Sequence, residues 1–179
     1  MTTTATPSTT WKIDPTHAAV GFSVKHMMIS TVKGKFSAFD GQGTTDESGK
    51  LTHVTMAIQT ASIDTGVTDR DNHLRSPDFF DAANHPAMTF ESTKIAHAGN
   101  GVSIEGNLTI RGVTRPVTLT GEFSAPVKDP WGMQRGALEV TGKISRKEWG
   151  LEWNMALEAG GVIVSDEVKL QVEVEAVAS

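Results

Sequence analysis

The sequence predicts an all-β protein, a closed antiparallel barrel of about eight strands with short helices inserted near one end. Three observations carry that expectation. Apolar and polar residues alternate with a period of two over most of the chain, which gives each strand one apolar and one solvated face. Turn signals of hairpin type separate the runs, and no long helical pattern intervenes that could carry a parallel crossover. Glycines (Gly34, Gly106, Gly121, Gly142) recur on the apolar faces, where a closing sheet must bend or another group must approach closely. A sheet with one apolar face has to cover it, and closure into a barrel does so while removing the exposed edges. A two-sheet sandwich is the second architecture that fits.

The elements follow in chain order. The opening "MTTTATPSTT" reads as a flexible tail over residues 1–10, followed by a single domain over 11–179. Val20, Phe22, Val24 and His26 form the first apolar face; Val32, Gly34, Phe36 and Ala38 form the second. Val54, Met56 and Ile58 continue the theme after "DESGK" (Asp46–Lys50), which reads as a hairpin turn. Beyond "HAGNG" (His97–Gly101), another turn, come Val102, Ile104, Gly106, Leu108 and Ile110. "RGVTR" (Arg111–Arg115) turns the chain into Val117, Leu119, Gly121, Phe123 and Ala125. A longer loop, "KDPWG" (Lys128–Gly132), leads to Leu138, Val140, Gly142 and Ile144. The last run sets Val164, Val168, Leu170, Val172 and Val174 opposite Glu167, Lys169, Gln171, Glu173 and Glu175.

One stretch breaks the pattern. "DRDNHLRSPDFFDAANHP" (Asp69–Pro86) mixes acids, two arginines and two histidines. Thr68-x-x-Asp71 has the form of a helix-capping box, and Asp71 and Arg75 are spaced to pair along a helix. Ser76-Pro77 stops that helix and starts a second short one. With Leu74, Phe79 and Phe80 as apolar contacts, the stretch reads as a lid or plug over one end of the barrel. Arg70 and His73 are left to bind strand ends or the polar head of a ligand.

Composition excludes several functions. A net charge of −5 and a pI near 5.6 leave no electrostatic footprint for nucleic acid. No basic cluster suits an acidic membrane surface, and no apolar run is long enough to span a bilayer. With no cysteine, disulfides and thiolate metal sites are ruled out. The opening residues lack the regions of a secretory signal, so a cytoplasmic location is expected.

The inward faces are aliphatic and aromatic. An eight-stranded barrel is wide enough to be filled by its own side chains or to hold one slim ligand. Phe22, Val24, Phe36, Met56, Ile58, Phe90, Leu108, Leu119, Phe123 and Ile144 are the expected lining for an apolar tail, with Arg70, His73, Phe79 and Phe80 as head-group or lid residues. Met27, Met28 and Ile29 stand where a polar turn is normal, which suits either a mouth for apolar ligands or packing beneath a loop. The signatures GxSxG, HExxH and GxxxxGK[ST] are absent. An enzyme acting on a small apolar molecule through Asp71, His73 or His85 is the alternative. A zinc site drawn from His73, His85 and Asp69 or Asp71 is a weaker one.

Four blocks of the chain resemble the YceI-like family. "WKIDPTHAAVGFSVKHMMISTVKGKFSAFDG" (Trp11–Gly41) is similar to its opening signature, and "RDNHLRSPDFFDAANHPAMTFEST" (Arg70–Thr93) to its RDxHL…FF…P…F block. "GNLTIRGVTRPVTL" (Gly106–Leu119) matches G-x-L-T-x-x-G-x-T-x-P, and "SRKEWGL" (Ser145–Leu151) the R-x-x-[FW]-G segment. The resemblance implies an extended, lipocalin-like barrel that binds a polyisoprenoid, isoprenoid quinone or fatty-acid type of lipid. It also implies a non-enzymatic protein, a homodimer, and no cofactor beyond the bound lipid. Many relatives are periplasmic, a pattern from which this chain's opening departs.

Overall fold

The computed structural model describes residues 8–158 and 160–179. The expected tail therefore lies outside the described residues as far as residue 7, while Thr9 and Thr10 already belong to the first strand. Among the described residues there are ten strands: β1 (Thr9–His26), β2 (Ser30–Phe36), β3 (Phe39–Thr45), β4 (Leu51–Gln59), β5 (Ile63–Asp64), β6 (Ala87–Ala98), β7 (Gly101–Ile110), β8 (Val113–Lys128), β9 (Gln134–Ser145) and β10 (Val164–Ala178). The four turns expected at Asp46–Lys50, His97–Gly101, Arg111–Arg115 and Lys128–Gly132 each join two of these strands.

Eight strands close the ring. The order runs β10-β9-β8-β7-β6-β4-β3-β1, and β10 pairs back with β1, every neighbour antiparallel. The two further strands arise because β1 is long and changes partner along one edge. Its Thr9–Lys12 portion pairs with β3, whereas Val20–His26 pairs with β2, and β2 in turn pairs with the short β5. The register keeps the alternating pattern in phase: Phe22 faces Leu170, Val24 faces Val168, Val172 faces Val140 and Val168 faces Ile144. Their apolar side chains thus share the inside of the wall, and the intervening Lys169, Gln171 and Glu173 share the outside.

The helical cover is simpler than the sequence suggests. Among the described residues one α-helix, α1, spans Thr68–Arg75, and a single 3-10 turn (Thr60–Ser62) precedes it. Beyond Ser76 the chain forms hydrogen-bonded turns in place of a second helix, with Phe79 N–H donating to Ser76 O and His85 N–H to Asp81 O. No capping box forms. Val67 occupies the cap position, and Asp71, buried, instead accepts hydrogen bonds from Thr65 N (2.9 Å) and Thr65 Oγ1. The Thr65 backbone N–H needs a partner where the chain leaves the sheet, and Asp71 supplies it. The expected Asp71–Arg75 pair is absent for the same reason. Arg75 reaches back to the carbonyls of Ala61 (2.8 Å) and Ile63 (3.0 Å), on the edge of β5 that no strand covers. A second 3-10 turn, Arg146–Trp149, follows β9.

Candidate functional site

The barrel holds an apolar cavity of about 230 Å³. That is room for on the order of fifteen water-sized groups. All ten side chains expected to line an apolar tail, from Phe22 to Ile144, border it. Val20, Leu51, Ile104, Val140, Val168 and Val172 are among the other inward strand residues that border it. Polar groups are scarce: Gln42 and Arg146 are its polar or charged lining side chains. Such a surface cannot orient a polar substrate by hydrogen bonding, but it can hold an alkyl chain by burial alone.

Two of the inward glycines show what the absent side chain makes room for. A Cβ on Gly34 would lie 2.3 Å from Phe22 Cζ, its partner directly across the strand pair. A Cβ on Gly106 would lie 2.4 Å from Phe90 Cζ and 2.6 Å from the Glu91 carbonyl oxygen. The group that approaches each glycine is thus one of the protein's own phenylalanine rings, both of which line the cavity. The glycines let these rings lie flat against the wall and leave the lumen open.

At the α1 end, Leu74, Phe79 and Phe80 contribute to the lining, and Phe80 meets Phe36 edge to face with centroids 5.8 Å apart. Arg70 and His73 stand outside the lining. Arg70 donates to Thr65 Oγ1 (2.7 Å) and Thr65 O (2.9 Å). The His73 ring sits edge-on to Trp153 and Phe79, at 4.6 and 5.2 Å, with Nε2 2.8 Å from Asp78 Oδ2. His85 lies elsewhere, its ring beside Gly112 and its carbonyl accepting from Thr60 Oγ1. Asp71, His73 and His85 therefore have separate partners and do not converge on a reacting atom. The zinc alternative fails on the same geometry, because His73 and His85 are not gathered with Asp69 or Asp71 into a set of ligands.

Arg146, the arginine of the R-x-x-[FW]-G segment, is a lining residue that the sequence did not assign to the site. It is 5 % exposed, and its guanidinium donates to the carbonyls of Leu151 (2.6 Å), Trp153 (2.9 Å) and Ser165 (3.0 Å). Burial lowers its pKa from the ordinary value, opposed by the Asp166 carboxylate 3.7 Å away. It remains a cation at neutral pH. Its signal was in plain view: Arg146 continues the inward phase of Ile144, two residues on. Trp149, the aromatic of the same segment, is 1 % exposed and donates from Nε1 to Leu108 O at 2.9 Å.

Among the described residues, the side chains placed to share an ion are Asp14, His17 and Glu175, near the other end of the barrel. Arg135 already occupies their midst, bonded to Asp14 (3.1 Å), Asp129 (2.8 Å) and Glu175 (2.9 Å). Hydrogen bonds from Thr16 and His17 hold the Asp14 carboxyl well below the usual range. The group is an ion-pair network that fastens the first strand to the last.

A closed antiparallel ring, an apolar interior and a helical cover define a lipocalin-like β-barrel. Comparison with known proteins makes this more specific: the YceI-like domain model matches residues 11–176, and the chain belongs to that family. Protein YceI of Escherichia coli O6:H1 is 39% identical over 170 residues, covering 93% of this chain and 86% of its own. Among solved structures, BcnA of Burkholderia cenocepacia superimposes with a TM-score of 0.78 at 26% identity, over 91% of this chain and 98% of that one. A polyisoprenoid binding domain from Saccharophagus degradans, at 16% identity, has a TM-score of 0.66 over 94% and 98% of the two chains, and shows the shared fold.

Proposed function

We propose that this protein binds a long amphiphilic lipid, of the polyisoprenoid, isoprenoid quinone or fatty-acid type, and carries or stores it without chemical change. The observation that carries the reading is the cavity itself, apolar along the whole inside of a closed barrel. Ten buried methylenes contribute about 8 kcal/mol at about 0.8 kcal/mol each, before the cost of ordering the chain. The name of the Saccharophagus degradans neighbour, a polyisoprenoid binding domain, supports the same class of ligand. Phe22, Phe36, Phe90, Leu119 and Phe123 hold the tail, while Phe79 and Phe80 cover its end. The separate partners of Asp71, His73 and His85 favour binding over catalysis. A homodimer belongs to this proposal, with light scattering as its measurement.

Organic extraction of the purified protein, followed by mass spectrometry, tests the reading. The expected result is a stoichiometric lipid with a chain of ten or more carbons. An empty lumen that takes up neither prenyl chains nor fatty acids would refute it.

A further inference from the structure

The β1–β2 hairpin is built against the usual rules. Its central residues, Met27 and Met28, both have positive φ (52° and 63°), and Ile29 N–H donates to His26 O across the turn. Asn-Gly fits that geometry at no steric cost, whereas methionine does not. The side chains so displayed are apolar: Met28 is 59% exposed and Ile29 82%. A second segment extends the patch. Met27 N–H donates to Ile163 O and Ile163 N–H to Met155 O, and Met155 is itself 56% exposed. The cavity lining includes Val24 and Val164, each within three residues of this patch.

Charge tells what the patch fits. Behind the tip, Ser23 pairs with Lys33 on one side and Lys169 on the other, and with Lys143 these line a concavity on the outer wall. Lys143 is compensated by Glu167. Lys25, Lys33 and Lys169 have no ion pair among the described residues. The opposite end also shows an apolar tip, Trp131 at 82% exposed, but there Asp14, Asp129 and Glu175 outnumber Arg135. The sequence shows no basic cluster for an acidic membrane surface, but strand pairing brings Lys33 and Lys169 together across Ser23, behind adaptable apolar side chains, and that pairing holds proteins at anionic bilayers.

We propose that the Met27–Met28–Ile29 tip with Met155 is a docking edge for an anionic membrane surface, where the barrel exchanges its lipid. This rests on the carrier reading above. Methionine at the turn then has a purpose: the apolar tip enters the interface while Lys25, Lys33 and Lys169 face the head groups.

Co-sedimentation with phosphatidylcholine vesicles, with and without phosphatidylglycerol, tests the proposal, with lumen lipid measured on the same samples. The protein is expected on the anionic vesicles, and added salt should release it. Met27→Asn with Met28→Gly should keep or raise the melting temperature, leave lumen lipid unchanged and weaken vesicle binding by about tenfold or more. Lys33→Gln with Lys169→Gln should weaken it by about tenfold, and Trp131→Ser not at all. Lack of binding to anionic vesicles overturns the docking edge while leaving the carrier reading intact if the lumen holds lipid. An empty lumen with vesicle binding retained overturns the carrier reading instead. Equal loss in Trp131→Ser, or a dimer that the Asn-Gly variant dissociates, also overturns the proposal, the latter by assigning the patch to a second copy.

Discussion

Adding one methyl group at Gly34 should stress the barrel at a defined point. The new Cβ would sit 2.3, 2.7 and 3.0 Å from three carbons of the Phe22 ring. Carbon atoms rest about 3.5–4.0 Å apart, so the ring must withdraw by roughly 1.5 Å. It can withdraw only into the cavity that it lines, towards Phe36, whose centroid is 5.7 Å away. Overpacking of this kind costs about 1–3 kcal/mol, offset by about 0.4–1 kcal/mol from the stiffer unfolded chain, since Gly34 does not have positive φ. The net loss is about 1–2 kcal/mol, a fall in Tm of roughly 2–8 °C for a chain of this length. Urea unfolding of Gly34→Ala, Phe22→Leu and the double variant would measure it, with a coupling of about 1 kcal/mol expected between the sites. Lipid retention should fall with Gly34→Ala and recover in the double variant. If Gly34→Ala is neutral or additive with Phe22→Leu, the ring does not lie over the glycine and the reasoning fails. Gly106→Ala should be worse, because it also meets the immovable Glu91 carbonyl oxygen at 2.6 Å.

Other substitutions probe other parts of the molecule. Phe123→Asp should abolish lipid retention and Phe123→Leu should not, as judged by mass spectrometry on protein whose circular dichroism is unchanged; equal retention in both would remove Phe123 from the tail site. Arg146→Met strips hydrogen bonds from the carbonyls of Leu151, Trp153 and Ser165, and should cost about 3 kcal/mol or more in urea, with protease cleavage appearing first between residues 150 and 163. The Asp129 carboxyl is held below its ordinary pKa chiefly by Arg135, so its stabilisation is present above the unfolded value of about 4 and is lost as pH falls through the folded one. Melting temperature followed downward from about pH 6 should therefore drop less steeply in Asp129→Asn than in the parent; parallel curves would show that Asp129 is not the titrating group.

Period-two alternation was enough to assign the lining because a strand has only two faces. Once Val168, Leu170 and Val172 are inward, the register carries that choice through Phe22 and Val24 to Phe36. The same pattern is silent about which strand a face is paired with. β2 and β3 read alike, yet β2 runs beside the second half of β1 and β3 beside its start. The partner change depends on chain geometry between Phe36 and Phe39, and on the bulge between Ile13 and Ala18 in β1, neither of which alters the alternation. Arg146 was legible by phase and overlooked because a charged inward residue contradicts the apolar trend. Two of its carbonyl partners, Leu151 and Trp153, lie in an irregular segment that no periodicity describes.

The stretch from Asp69 to Pro86 shows why polar residues concentrate in a protein that is otherwise a plain barrel. β5 ends the sheet order, so the wall has an uncovered edge beside it, and backbone groups there need partners that no strand supplies. Arg75 serves Ala61 and Ile63, Asp71 serves Thr65, Thr60 N–H donates to Pro86 O, and Arg111 reaches across from the β7–β8 turn to Phe79 O at 3.1 Å. Arg75, Asp71 and Arg111 thus satisfy backbone beside the interrupted sheet, while His73 with Asp78 and Asn84 with Asp81 tie the segment to itself and Leu74, Phe79 and Phe80 turn inward to join the apolar surface. A mixture of acids and arginines between strands is therefore as much a mark of a sheet edge being finished as of catalysis. The two are told apart by what the side chains bond: here Arg70, Asp71 and Arg75 reach main-chain carbonyls and an amide where the sheet ends, and no reacting point gathers them.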